Sequence, residues 1–184
     1  DALPTAAPGL DPYVEALHNF IDALDLSKPV IYGSATGAQI AIEYARKYPK
    51  HVRGLLLENV AWFFDEEREA MMAPYFPSIA PQSDGSHFQL VWKMASQLYR
   101  YFPWYDTSNS RLTSLTGAPV DLVHQSALHY LLAGNHYDRA YRAAFMNEKP
   151  EPLVSLEVVT RIIRWQGSML RVYTDRLDDA ELPE

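Results

Sequence analysis

The chain has 184 residues, 48% of them hydrophobic and 21% charged, which suits one globular domain with a sizeable core. A net charge of −7, with the basic residues scattered, argues against nucleic acid or an anionic membrane as partner, since both need a clustered cationic face. The absence of cysteine excludes disulfides and thiol catalysis, and the six histidines show no close ligand spacing beyond His124 and His129, so no metal site is expected.

The opening DALPTAAPGLDPY lacks the basic and apolar regions of a signal peptide, and no run nears the roughly 18 apolar residues of a membrane span. A cytoplasmic protein is the expectation. Residues 10–26 read as a first helix, with Asp11 as N-cap, Pro12 at the first helical position, and Val14, Leu17, Phe20, Ile21 and Leu24 as its apolar stripe. Ser27, Lys28 and Pro29 break it. His18 reads as a surface or helix-packing residue.

Val30, Ile31 and Tyr32 then form a short apolar run typical of a buried strand. Gly33, Ser34, Ala35, Thr36 and Gly37 follow, and from Ala38 the period becomes helical through Ile40, Ala41, Tyr44 and Ala45. Strand, sharp glycine-flanked turn and helix are the setting of a G-x-S-x-G nucleophile elbow. The spacing is not that of a dinucleotide-binding loop, which needs G-x-G-x-x-G.

This stretch, with the downstream RKYPKHVRGLLLENV, resembles the α/β-hydrolase fold: α/β, with a mostly parallel sheet and an inserted helical cap. Gly33 and Gly37 match the two elbow glycines. Residue 35, the nucleophile position, is alanine, which has no atom able to attack a carbonyl. Three explanations stay open: an engineered replacement of Ser or Asp, a natural non-serine elbow, or a nucleophile at Ser34. The segment Tyr32 to Ala38 also resembles an uncharacterised bacterial branch in which histidine often replaces the serine before Thr-Gly-Ala. In a working relative the Thr36 amide contributes to the oxyanion hole. The resemblance further implies an internal fragment, since the family carries strands before its elbow and a catalytic histidine later than residue 184. Such a fragment leaves sheet edges and apolar faces uncovered.

Residues 52–60 are the expected second strand, buried on both faces through Leu55, Leu56 and Leu57 and parallel to the first through a crossover helix. Glu58 closes it. In part of the family the triad acid sits here; the alternative is a carboxylate held by local amides.

Residues 65–72 read as a short helix, 73–86 as a Pro-rich loop, and 87–101, 120–132 and 137–146 as helices. By the resemblance this block, 65–150, is the cap, set between core segments 1–64 and 151–184. Its aromatics either pack the cap or line an apolar pocket. His87 and Trp92, with Trp62 from the core, are the candidate pocket residues. Residues 156–164 are expected to be helical, and 169–173 to form a third strand leading to Asp175, Asp178 and Asp179. The family's spacing from its acid to a downstream proline, here Pro183, points to Asp178 or Asp179 as the triad acid, which would orient the missing histidine; a solvated acidic turn is the alternative.

The activity this implies is hydrolysis of a small apolar or aromatic substrate, at an ester, C–C or related bond, with no cofactor. The alternative is an inactive ligand-binding protein of the same fold. A small molecule is the expected partner, with a homodimer as an open alternative to a monomer.

Overall fold

The computed structural model describes residues 9–180 and residue 182. The chain divides into two compact units, one of residues 1–64 with 140–184 and one of residues 65–139.

In the first unit, helix α1 (Asp11–Ala23) leads to strand β1 (Val30–Ser34), helix α2 (Thr36–Lys47) and strand β2 (Gly54–Glu58). The expected N-cap at Asp11 is shifted by one residue. Leu10 takes that place and its carbonyl accepts from the Tyr13 and Val14 amides at 3.0 Å, with no side-chain cap. Val14 and Ile21 are buried as expected, whereas Phe20 and Leu24 are exposed. Leu24 lies past the end of the helix, which stops three residues earlier than the apolar pattern suggests. Asp25 and Lys28, both at positive φ, turn the chain toward β1.

The strands β1 and β2 are parallel, paired from Val30 opposite Gly54 to Ser34 opposite Glu58. A third strand, β3, pairs parallel with β2 from Val159 opposite Gly54 to Ile163 opposite Glu58. The sheet order is β1-β2-β3. Here two sequence expectations are reversed. Residues 159–163, expected within a helix, form β3 (Val159–Ile163), and residues 171–173, expected within a strand, lie in helix α8 (Arg171–Thr174). The run Val158, Val159, Thr160, Ile162 and Ile163 is dense in β-branched residues, whose stiff side chains suit a pleated strand. Its neighbour MLRVY is apolar too, but the Ser168 hydroxyl accepts the Leu170 amide and the chain coils directly after it.

Ala38, Ala41, Ile42, Ala45, Leu55, Leu57 and Leu153 form one buried cluster with Val14 and Ile21. This places α1, α2 and the short helix α7 (Pro150–Val154) against one face of the sheet. The other face is open in part: Val30, Tyr32, Leu56 and Val159 are exposed. The expected burial of β2 on both faces therefore holds for Leu55 and Leu57 but not for Leu56. Helix α6 (Arg139–Asn147) runs into this unit, with Ala144 and Phe145 buried. The Phe145 ring stacks 5.2 Å from that of Phe63.

The second unit contains helices α3 (Asp65–Tyr75), α4 (Ser86–Leu98) and α5 (Val120–Ala133). Helix α3 runs three residues beyond the expected end and carries Pro74 in its last turn. The Trp104 indole donates to the Tyr75 carbonyl at 2.9 Å, and Tyr75 is ringed by Phe76, Phe102 and Tyr105. Tyr99 and Ser126 hydroxyls, 2.9 Å apart, link α4 to α5. Among the described residues no helix is long and apolar enough to cross a membrane.

Candidate functional site

The turn from β1 into α2 holds a non-glycine residue, Ala35, at positive φ. Ala35 sits at φ 49° and ψ −117°, a region that a residue with a Cβ occupies only when its surroundings impose it. Its amide donates to the Glu58 carbonyl at 3.0 Å, extending the β1–β2 pairing by one residue. Its carbonyl accepts from Ala38 and Gln39, starting α2. The amides of Thr36 and Gly37 precede the first intrahelical bond and stand at the positive end of the helix dipole.

The two flanking glycines have different reasons for being glycine. A Cβ on Gly33 would lie 2.5 Å from the Gly37 carbonyl oxygen and 2.8 Å from Ala38 Cα, so only glycine lets strand and helix approach this closely. A Cβ on Gly37 would meet nothing within 4 Å.

Around this turn the ends of the parallel strands carry a polar chain. Asn59, at φ 54°, donates from Nδ2 to Ser34 Oγ at 3.1 Å and accepts at Oδ1 from Ser168 Oγ at 2.7 Å. Ser34 is therefore joined to an amide rather than to a base, and its side chain lies one pleat away from the turn tip. Glu58, paired with Ser34 in register, accepts the Tyr32 hydroxyl, and that bond is the main cause of the raised Tyr32 pKa.

The loop after β2 is fixed from both sides. The Ala61 amide donates to Glu148 Oε2 at 2.7 Å, the Trp62 amide to the Tyr173 carbonyl at 3.2 Å, and Phe63 to the Glu148 carbonyl at 3.1 Å. Thr174 Oγ1 donates to the Val60 carbonyl at 2.5 Å and Arg176 Nη1 to that of Trp62 at 2.9 Å. Trp62 is half-buried, with its ring edge-on to Phe64 at 5.8 Å. Glu148 is 4% exposed, and burial pushes its carboxyl well above the usual range despite hydrogen bonds from Ala61 and Gln39. Gln39, one turn into α2, also accepts from Asn147 at 3.0 Å. A buried carboxyl thus couples α2 to the loop that follows β2.

The sequence-derived candidates fall into four places, one of them the loop after β2 that carries Trp62. Gly33, Ser34, Ala35, Thr36, Gly37 and Glu58 converge at the ends of β1 and β2. Asp178 and Asp179 lie in the 3-10 turn Asp175–Asp179 that follows α8, and Asp178 pairs with Arg164, just past β3, at 2.5 Å. Pro183, used to choose between these aspartates, lies outside the described residues. His87 and Trp92 are on α4 in the second unit: His87 Nδ1 accepts the Gln82 amide at 3.1 Å, and Trp92 is 42% exposed. Asn59, Ser168 and Glu148 were not singled out from sequence. Asn59 had a signal, because asparagine directly after a strand favours the left-handed turn. Glu148, within NEKPEP, had none.

As it stands, the turn presents a methyl group flanked by helix amides, a geometry that can hold a polarised oxygen but cannot attack it. Among the described residues one trio of potential metal ligands converges, His18, Asp22 and His51, away from this turn.

No family model matches the sequence, and the search of curated proteins finds no match. Solved structures do match. A structure described as Est816, an N-acyl homoserine lactone degrading enzyme, superposes with a TM-score of 0.62 at 13% identity over 99% of this chain and 66% of its own. An esterase from Exiguobacterium antarcticum gives 0.61 at 13% identity, over 96% and 63%. A mutant form of a meta-cleavage product hydrolase gives 0.60 at 19% identity, over 100% and 64%. The chain thus spans less than two thirds of each of these structures. The parallel β1-β2-β3 order, the strand-to-helix turn at Ala35 and these superpositions together show that the chain has the α/β-hydrolase fold.

Proposed function

We propose that residue 35 is the nucleophile position of a hydrolase acting on a small apolar or aromatic substrate, at an ester or related bond, and that Ala35 leaves this chain able to bind such a substrate without cleaving it. The observation that carries the reading is the backbone of Ala35. A residue with no need of its own for φ 49° is held there by Gly33, by the Glu58 carbonyl and by the start of α2. Strain of this kind, on the order of 1–3 kcal/mol, persists where the surroundings over-determine it and is a mark of functional sites.

In this reading the amides at the start of α2, that of Thr36 first, face the oxygen on which charge develops. A serine at position 35 would project its hydroxyl from the same tip. Asp178 or Asp179 would serve as the acid of the charge network. Esters and C–C bonds next to a carbonyl share an acyl centre open to such attack, and the superposed N-acyl homoserine lactone degrading enzyme, esterase and meta-cleavage product hydrolase support that substrate class.

The second reading is a binding protein whose pocket holds a ligand and has no chemistry to perform. The lack of any attacking atom on Ala35 favours it. Burst kinetics with p-nitrophenyl esters of short and aromatic acids separate the two, comparing the full-length protein with its Ala35→Ser variant. A burst confined to the serine variant supports the hydrolase. No burst in either, with both folded, overturns it in favour of the binder.

A further inference from the structure

Ala35 follows the last residue of β1, whereas His51 precedes β2 by three residues. The two therefore lie toward opposite ends of the sheet, about 15 Å apart along strands of five residues. At the His51 end, two elements distant in sequence bring three metal-binding side chains together. His18 and Asp22 are one helical turn apart on the same face of α1, and His18 Nε2 lies 3.5 Å from Asp22 Oδ2. His51 sits in the 3-10 turn Pro49–His51, its ring edge-on to that of His18 with centroids 5.4 Å apart. One ligand atom from each residue lies within 4.8 Å of the other two.

We propose that His18, Asp22 and His51 form a binding site for a divalent transition metal, with Zn2+ the ion its ligands suit best. Ligand atoms about 2.0–2.1 Å from a tetrahedral zinc lie roughly 3.3 Å from one another. The His18–Asp22 separation already fits. His51 is exposed and half of the Asp22 side chain or more is in solvent, so both can close the remaining gap by rotation, whereas His18 is fixed. Tyr48 stacks on the His18 ring at 4.0 Å and 5°, holding its plane. The His18 Nδ1 atom is buried, which leaves Nε2 as the nitrogen turned toward Asp22. Two neutral imidazoles and one carboxylate, with water in the fourth position, match the preference of zinc over the hard cations, which want oxygen alone. Lys47, whose Nζ lies 5.9 Å from the Tyr48 ring centroid, is paired to Glu15 at 2.8 Å and Asp11 at 3.7 Å, so two carboxylates already meet its charge. A bound ion would pin α1 to the turn that starts β2 and so stabilise the fold without touching the turn at Ala35.

The test is a calorimetric titration of the metal-free full-length protein with ZnCl2, with thermal melting alongside. The expected result is one Zn2+ per chain, a rise in Tm, and an affinity lowered at least tenfold in Asp22→Asn and in His51→Gln. Both residues are exposed, so these variants stay folded. No Zn2+ uptake, or uptake equal in all three proteins, overturns the site. As a second readout, Co2+ should broaden the imidazole NMR lines of His18 and His51 and spare those of His87, His124, His129 and His136. The reverse pattern overturns it as well.

Discussion

The amide of Ala35 is bonded to the carbonyl of Glu58 at 3.0 Å, and this bond decides what the turn can offer. It removes the residue 35 amide from any role with a ligand, so the amides that remain at the turn belong to Thr36 and Gly37. It also holds Ala35 at φ 49°, where glycine would be at ease. Ala35→Gly should therefore stabilise the protein by about 1 kcal/mol, the relief of strain exceeding the added freedom of the unfolded chain. Ala35→Ser keeps the strain and should stay within about 0.5 kcal/mol of the parent. Urea midpoints at constant m-value measure both, and a destabilised glycine variant would refute the strain.

The two glycines of the turn should respond in opposite ways to the same methyl group. Gly33→Ala drives a Cβ into backbone atoms 2.5–2.8 Å away, which cannot move without displacing the start of α2. A loss of about 2–3 kcal/mol is expected. Gly37→Ala places its Cβ in open space within the first turn of a helix and should gain about 0.5–1 kcal/mol. Equal effects on the denaturation midpoint would contradict the close approach at Gly33.

How far the sequence could be read depended on whether the signal was local. The turn was legible because Gly33 and Gly37 flank a switch from strand period to helix period, and both are local patterns. The region after residue 150 was misread because VVTRII and MLRVY are both short apolar runs, and periodicity alone does not say which becomes a strand. Pairing with β2 settles it, and that is a long-range fact. The same holds for the polar side chains: Ser34, Asn59 and Ser168 form one hydrogen-bonded chain, as do Gln39, Asn147 and Glu148, yet each set is scattered along the sequence. Leu56 was expected to be buried because a run of three leucines looks like a doubly covered strand, but the helices that pack against the sheet leave it 37% exposed.

Asn59 combines a left-handed backbone with two side-chain bonds, and the contributions can be separated. Asn59→Gly loses the bonds to Ser34 and Ser168 but keeps an easy backbone, at about 1–2 kcal/mol. Asn59→Ala loses the same bonds and adds the penalty of a Cβ at φ 54°, so it should be worse by about 1 kcal/mol. Chemical denaturation of the two variants gives the difference directly. If alanine proves no worse than glycine, the backbone at residue 59 is not left-handed in solution.

Glu148 predicts how stability depends on pH. Its carboxyl is held well above the ordinary value of 4.5, mainly by burial, so the folded protein keeps a proton that the unfolded chain has released. Between those two pKa values the folded state binds more protons, and the contribution of this group to stability falls as pH rises. The contribution is fully present below about 4.5 and is lost as pH climbs through the folded value. Carboxylates held low, such as Asp84 and Asp106, act in the opposite sense, so the comparison must be with Glu148→Gln, which is neutral throughout. Relative to that variant, the parent should lose up to about 1.4 kcal/mol for each pH unit within the window, visible as denaturation midpoints that diverge as pH rises above the ordinary carboxyl value. Parallel midpoints would mean that Glu148 titrates like an exposed carboxylate, and that the link it makes between Gln39 and Ala61 does not persist in solution.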